Sequence, residues 1–173
     1  MKKVIIIAFC FCIPLAAVSQ KSSSRQVLLE QLKSTHNAKN WFVPVNTTLE
    51  GLTATQAAWK DKGNHSSGQL AYHLLFWNER QLKDFKGEKN DNFTGNNEET
   101  FDKFDQAQWA NIVKRLDQVL TDIEKWVETA PEDQLAKHAG TIANISAHNA
   151  YHTGQIVTVR KAQGSWDPEK GVK

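Results

Sequence analysis

His148 and His152 lie four residues apart, and at about 100° per residue a helix would place their side chains one turn apart on a single face. Two imidazoles so placed can grip one metal ion. The same face carries Ile145, Ile156 and Val159, with Asn144 and Gln155 close to its midline, so the pair is expected to point inward, where a buried imidazole needs a partner. His73 shares a second apolar face with Leu70, Phe76 and Trp77. Taken alone, His73 reads as a hydrogen-bonded core histidine, and the pair divides evenly between that reading and ligation. Together they favour the metal, because packing gives no reason to put three titratable rings on apolar faces without a shared task. Three neutral nitrogens with an open position are what catalytic zinc sites use, and nickel or iron would suit the same donors.

One divalent ion held this way would take water or a thiol at its open position, lower its pKa and present it as a nucleophile. Water makes a metal-dependent hydrolase; a small thiol makes an S-transferase, a reading that export would disfavour. A non-catalytic metal- or ligand-binding module of the cell envelope is the alternative from another class. A zinc peptidase of the H-E-x-x-H kind is disfavoured, since Asn149 stands where that motif has its general base. Glu79 falls well off the inward face, six residues after His73. Arg80 returns nearly to that face and would hold an anionic substrate or, as favoured here, pair with a buried carboxylate. Trp77, Asn144, Tyr151 and Gln155 complete the candidates for orienting ligands or touching substrate, although packing accounts for Tyr151 equally well. His36, His65 and His138 are read as surface residues outside the site.

The elements that must position these residues are helical. Apolar residues at three- and four-residue spacings run from Leu28 to Leu52, interrupted at Pro44. A short turn over 53–60 and a loop at Gly63-Asn64 precede a second helix, capped by Ser66 or Ser67 and running to about Lys86. Residues 87–100 are rich in Gly, Asn, Asp and Glu and read as an exposed crossover, a poor candidate for a core element. An amphipathic helix over 105–128 ends at Ala130-Pro131. A short link through Leu135 then leads to a fourth helix from about Thr141 to Gln163, closed by Gly164. No stretch alternates with period two. The expectation is an all-α four-helix bundle with a long crossover after helix two. Ser146, Ala150 and Thr153 or Val157, on the far face of the last helix, allow close approach of another helix within the bundle or in a homodimer.

The 173 residues suit one domain, and six Trp with 40% apolar residues mark a chain that folds. The formal charge of +2 and the lack of a basic run argue against a nucleic-acid partner. At the amino terminus Lys2 and Lys3, an apolar stretch over 4–13, Pro14, and then Ala17 and Ser19 follow the export pattern, with cleavage before Gln20. That apolar stretch is shorter than the about 20 residues of a bilayer span. Residues 1–19 are thus expected to be a signal peptide and 20–173 the bundle domain, periplasmic or secreted, with no membrane span after cleavage. Cys10 and Cys12 fall inside the signal, leaving a mature chain without thiols.

Two stretches together resemble a known family. His148-Asn149-Ala150-Tyr151-His152-Thr153-Gly154-Gln155, followed by Arg160, resembles the last-helix motif of DinB-like proteins. Ser67-Gly68-Gln69-Leu70-Ala71-Tyr72-His73 resembles the segment in which that family places its first histidine. The resemblance covers nearly all of the mature chain and weakens in the crossover and tail. It implies a crossover four-helix bundle, often dimeric, with a divalent metal on His73, His148 and His152. Some members of the family are thiol-dependent S-transferases or isomerases that use small thiols such as bacillithiol or mycothiol, and others are called metal-dependent hydrolases. The substrate stays unspecified.

Overall fold

A computed structural model describes residues 23–172. The expected signal, its cleavage point and both cysteines lie outside them. Every regular element among the described residues is helical, and no helix there is long and apolar enough to cross a membrane.

Four long helices, α1 (Ser24–His36), α4 (Ser67–Phe85), α6 (Trp109–Thr129) and α7 (Glu132–Gln163), form the body. Short helices α2 (Val45–Leu49), α3 (Ala54–Ala58) and α5 (Glu99–Asp102) lie in the connections. α1 and α4 each pack against both α6 and α7, so the core is the seam where the four meet. Leu32, Leu70, Leu74, Leu116, Ile123, Leu135, Ile142 and Ile156 fill it, all nearly inaccessible to solvent; each such side chain contributes about 1.5–3 kcal/mol through burial.

The ends of α4 and α7 matter most, because these helices carry the histidines. Ser66 caps α4: its hydroxyl accepts from the Gln69 N–H at 3.1 Å, and the Gln69 side chain accepts from the Ser66 N–H at 3.0 Å. This reciprocal pair satisfies two donors that the first turn would otherwise leave free. Thr53 and Gln56 repeat the device on α3. α3 then presses close to α4, where a side chain at Gly68 would collide with the Phe104 ring and the Ala57 carbonyl oxygen. α7 begins directly after Pro131, with Glu132 and Asp133 in its first turn, where negative charge favours the helix dipole. It ends at Gly164, whose φ of 75° is the left-handed conformation that glycine adopts without steric cost.

Several expectations need correction. The first periodic stretch is not one helix broken at Pro44. α1 stops at His36, and Pro44 instead caps α2 in an extended conformation. Nor is there a link through Leu135. α7 is continuous from Glu132, with Leu135 in the core and His138 inside the helix, its ring 5.0 Å from that of Phe85. Leu135, Ile142 and Ile145 continue one buried stripe that holds this half of α7 against its neighbours. His36 is no surface residue: it is 1% exposed. Finally, the far end of the crossover is buried, with Thr100 and Phe101 of α5 nearly closed to solvent.

Val157, on the far face of α7, packs with Val43 and Trp166 in a small separate cluster. Arg160 sits beneath it, donating to the Thr48 and Ser165 carbonyls while its guanidinium faces the Trp166 ring. The basic residue of the last-helix motif thus ties α7 to the end of α2 and to the carboxy-terminal tail.

Candidate metal centre

α4 delivers His73 and α7 delivers His148 and His152 to one point inside the bundle. The Nε2 atoms of His73 and His152 each lie 3.1 Å from Nε2 of His148. All three candidate ligand atoms fall within 4.8 Å of one another. Donors of a tetrahedral ion bound at 2.0–2.1 Å stand about 3.3 Å apart, so the two separations from His148 already come close to that value.

The outer nitrogens explain why the inner ones converge. His73 Nδ1 is 2.5 Å from the Thr100 hydroxyl, which itself donates to the Asn97 carbonyl at 2.6 Å. Having spent its proton there, the hydroxyl oxygen must accept from His73, which puts the imidazole proton on Nδ1 and leaves Nε2 as a lone pair. His152 Nδ1 likewise donates to Gln155 Oε1 at 2.6 Å, baring its Nε2. Two lone pairs therefore face His148 Nε2, and a single proton on that atom could serve only one of them. A cation serves all three.

The surroundings keep the rings neutral. Burial, reinforced by His152 and His148, pushes His73 down to about 3. Burial together with His152 pushes His148 down to about 4. His152 is lowered by burial, partly offset by its bond to Gln155. Neutral imidazole is the form that binds metal. Phe101 covers His73 face to face at 4.0 Å, and His65 stacks on the other side of Phe101 at 3.9 Å. The two α5 residues thus have separate tasks: Thr100 fixes a proton and Phe101 excludes water.

The remaining candidates divide. Gln155 is part of the site, and its amide nitrogen donates to the Tyr151 hydroxyl at 3.3 Å. Tyr151 is largely exposed beside His152. Trp77 meets His73 edge-on, its ring centre 6.4 Å away. With Asn144 and His148, Trp77 lines a cleft of about 360 Å³ that opens on the cluster. A second cleft, about 500 Å³, is bordered by His65, Tyr151 and Gln155. Arg80 points elsewhere: it donates to the Asp91 carbonyl and lies over the Phe76 and Phe93 rings, without a buried carboxylate. Glu79 forms a two-pronged pair with Arg115 of α6, at 2.7 Å from each carboxylate oxygen, and takes no part. His65 keeps out of the cluster, 3.5 Å from a Glu98 oxygen.

Sequence reasoning missed Thr100 and Phe101. The single signal available was an apolar Phe101 at the end of a polar run, with a threonine beside it.

Four long helices with three imidazoles converging between two of them define a helical bundle with a candidate metal-binding centre. The chain belongs to the DinB superfamily, whose family model matches residues 45–157, a span containing all three histidines. No curated protein and no solved structure matches it.

Proposed function

We propose that this is an exported metalloprotein, periplasmic or secreted after removal of residues 1–19, in which His73, His148 and His152 hold one divalent ion and hydrolyse a small-molecule substrate. Zinc, nickel and iron all suit three imidazoles. The observation that carries the reading is the pair of outer hydrogen bonds, from His73 to Thr100 and from His152 to Gln155, which leave Nε2 lone pairs aimed at His148. Packing alone gives no reason to fix both tautomers so.

When bound, the ion supplies Lewis acidity that makes water a nucleophile near neutral pH. The chain's own residues supply the rest. Thr100 and Gln155 hold two rings in the ligating tautomer, burial keeps all three uncharged, and Phe101 shields one side from solvent. The cleft at His148 gives a substrate access from the other, whereas a purely structural site is closed by a fourth protein ligand. No fourth His, Cys, Asp or Glu joins the cluster among the described residues.

Elemental analysis tests the ligand set. Protein recovered from the cell envelope or medium is expected to begin at Gln20 and to carry one ion per chain. The variants His73→Ala, His148→Ala and His152→Ala should drop to background metal while keeping their helical circular dichroism. Full metal content in the variants would sink the reading, and chromogenic ester or amide turnover unaffected by a chelator would remove the hydrolase.

A further inference from the structure

The cleft beside His148 has a composition that selects for charge. Its wall carries the side-chain amides of Asn78, Gln81, Asn97 and Asn144, with Trp77 as its main aromatic surface. Among the described residues, no Lys, Arg, Asp or Glu lines it. Of the charged residues beside it in sequence, Arg80 is engaged by the Asp91 carbonyl and two phenyl rings, Glu79 by Arg115 and Glu98 by His65. In the metal-free chain an ion entering this cleft would lose water without gaining a countercharge, a large penalty. A wholly apolar ligand would strand the amides instead.

One of those amides is already short of a partner. Asn78 is 2% exposed, and its nitrogen is spent on the Leu74 carbonyl at 2.8 Å and on Asn149 Oδ1 at 2.9 Å. Its Oδ1 is left unsatisfied, as is Nδ2 of Asn149 behind it. Buried polar atoms nearly always have partners. Here an unmet acceptor and an unmet donor sit side by side in the bonded Asn78–Asn149 pair, and Asn78 itself lines the cleft.

We infer that this cleft is a recognition site for an uncharged small molecule that both donates and accepts hydrogen bonds, as an amide or a polyol does, held by carboxamides against Trp77 next to the histidine cluster. The inference rests on the proposed metal-site reading for its role in substrate binding. Its charge selectivity, however, belongs to the cleft alone. Selectivity arises because carboxamides can satisfy either hydrogen-bonding sense but cannot neutralise a full charge.

The test uses the mature chain, metal-free and zinc-loaded, with binding followed by tryptophan fluorescence. The probes are N-acetylleucinamide, its anionic counterpart N-acetylleucine, its cationic counterpart leucinamide, and methyl glucoside as a neutral polyol. On the metal-free chain the neutral amide or the polyol should bind at least about tenfold more tightly than either charged probe, and the stronger of the two identifies the source. Asn78→Leu should weaken the neutral probe by a similar factor. Should that variant fail to fold, Asn144→Asp, at an exposed position, places a charge on the wall and should shift the preference toward leucinamide. Equal or tighter binding of N-acetylleucine to the metal-free chain, or no neutral binding in either form, overturns the inference. Failure to take up zinc, nickel or iron overturns the metal reading instead, and leaves the probe ranking on the metal-free chain to decide the cleft.

Discussion

The bundle buries histidines in two places and treats them in opposite ways. His36, at the end of α1, is clamped between carboxylates: Nδ1 is 2.7 Å from Glu124 and Nε2 is 2.9 Å from Asp117. Burial works against its charge, but the hydrogen bonds to Glu124 and Asp117 prevail and raise its pKa. Asp117 is correspondingly lowered, first by the Asn46 amide and then by His36. The cluster of His73, His148 and His152 has no carboxylate among its hydrogen-bond partners in the described residues, and burial lowers all three. The same side chain is pushed toward its charged form where carboxylates surround it and toward its neutral form where other imidazoles do. Burial alone therefore does not decide a histidine's role; the atoms its nitrogens face do.

Acid should separate the two regions most strongly. For the trio, the unfolded chain binds protons below about 6.5 while the folded chain does not, so stability is complete above that pH and falls as pH drops toward the folded values. The loss is on the order of 1 kcal/mol per pH unit for each of His73 and His148 in the metal-free protein. His36 has the opposite sign: its contribution is present below about 6.5 and is lost as pH rises through its raised folded value. Urea midpoints measured with chelator should therefore fall from pH 7 to pH 5, and a midpoint that holds or rises there would break the contrast. Zinc should largely remove the fall. Because the folded rings resist protons, metal should also survive to lower pH than free imidazole suggests.

Next in size is His36→Ala, which leaves Glu124 without its partner. Removing one member of a buried pair costs about 3–5 kcal/mol, and the half-exposed Asp117 points to the lower end. Denaturation should show a loss near 3 kcal/mol with metal content unchanged; a variant that loses its metal would mean the two regions are not independent.

Smallest is Thr100→Val, which removes the acceptor for His73 Nδ1 and keeps the shape. Changes to groups that orient a ligand typically cost 10–100-fold in metal affinity, and competition with a chelating dye would read it. An unaltered affinity would show that α5 covers the site without orienting it.

Much of this contrast could be read from residue spacing. The i, i+4 relation of His148 and His152 and the apolar neighbours of His73 located the trio, and caps at Ser66 and Gly164 set the ends of their helices. His36 was legible too. It continues the four-residue spacing of Leu28 and Leu32, the apolar α1 residues buried with it, and only the assumption that lone histidines lie outside hid it. Thr100 was not legible, because it sits in a polar stretch without period, and its burial depends on α5 docking against α4, a contact of tertiary origin. The first three turns of α7 were hidden for the converse reason: a weak local pattern was overridden by packing.

The bond between Thr100 and His73 ties the ligand's tautomer to the seating of the crossover. Whatever free energy ion uptake gains from that ordered ring must reappear as resistance of the loop to opening, since the two equilibria share one term. A bundle whose catalytic candidates all stand on rigid helices thereby acquires a responsive part: the loop between α4 and α6 would report, by how firmly it stays closed, whether the interior is loaded.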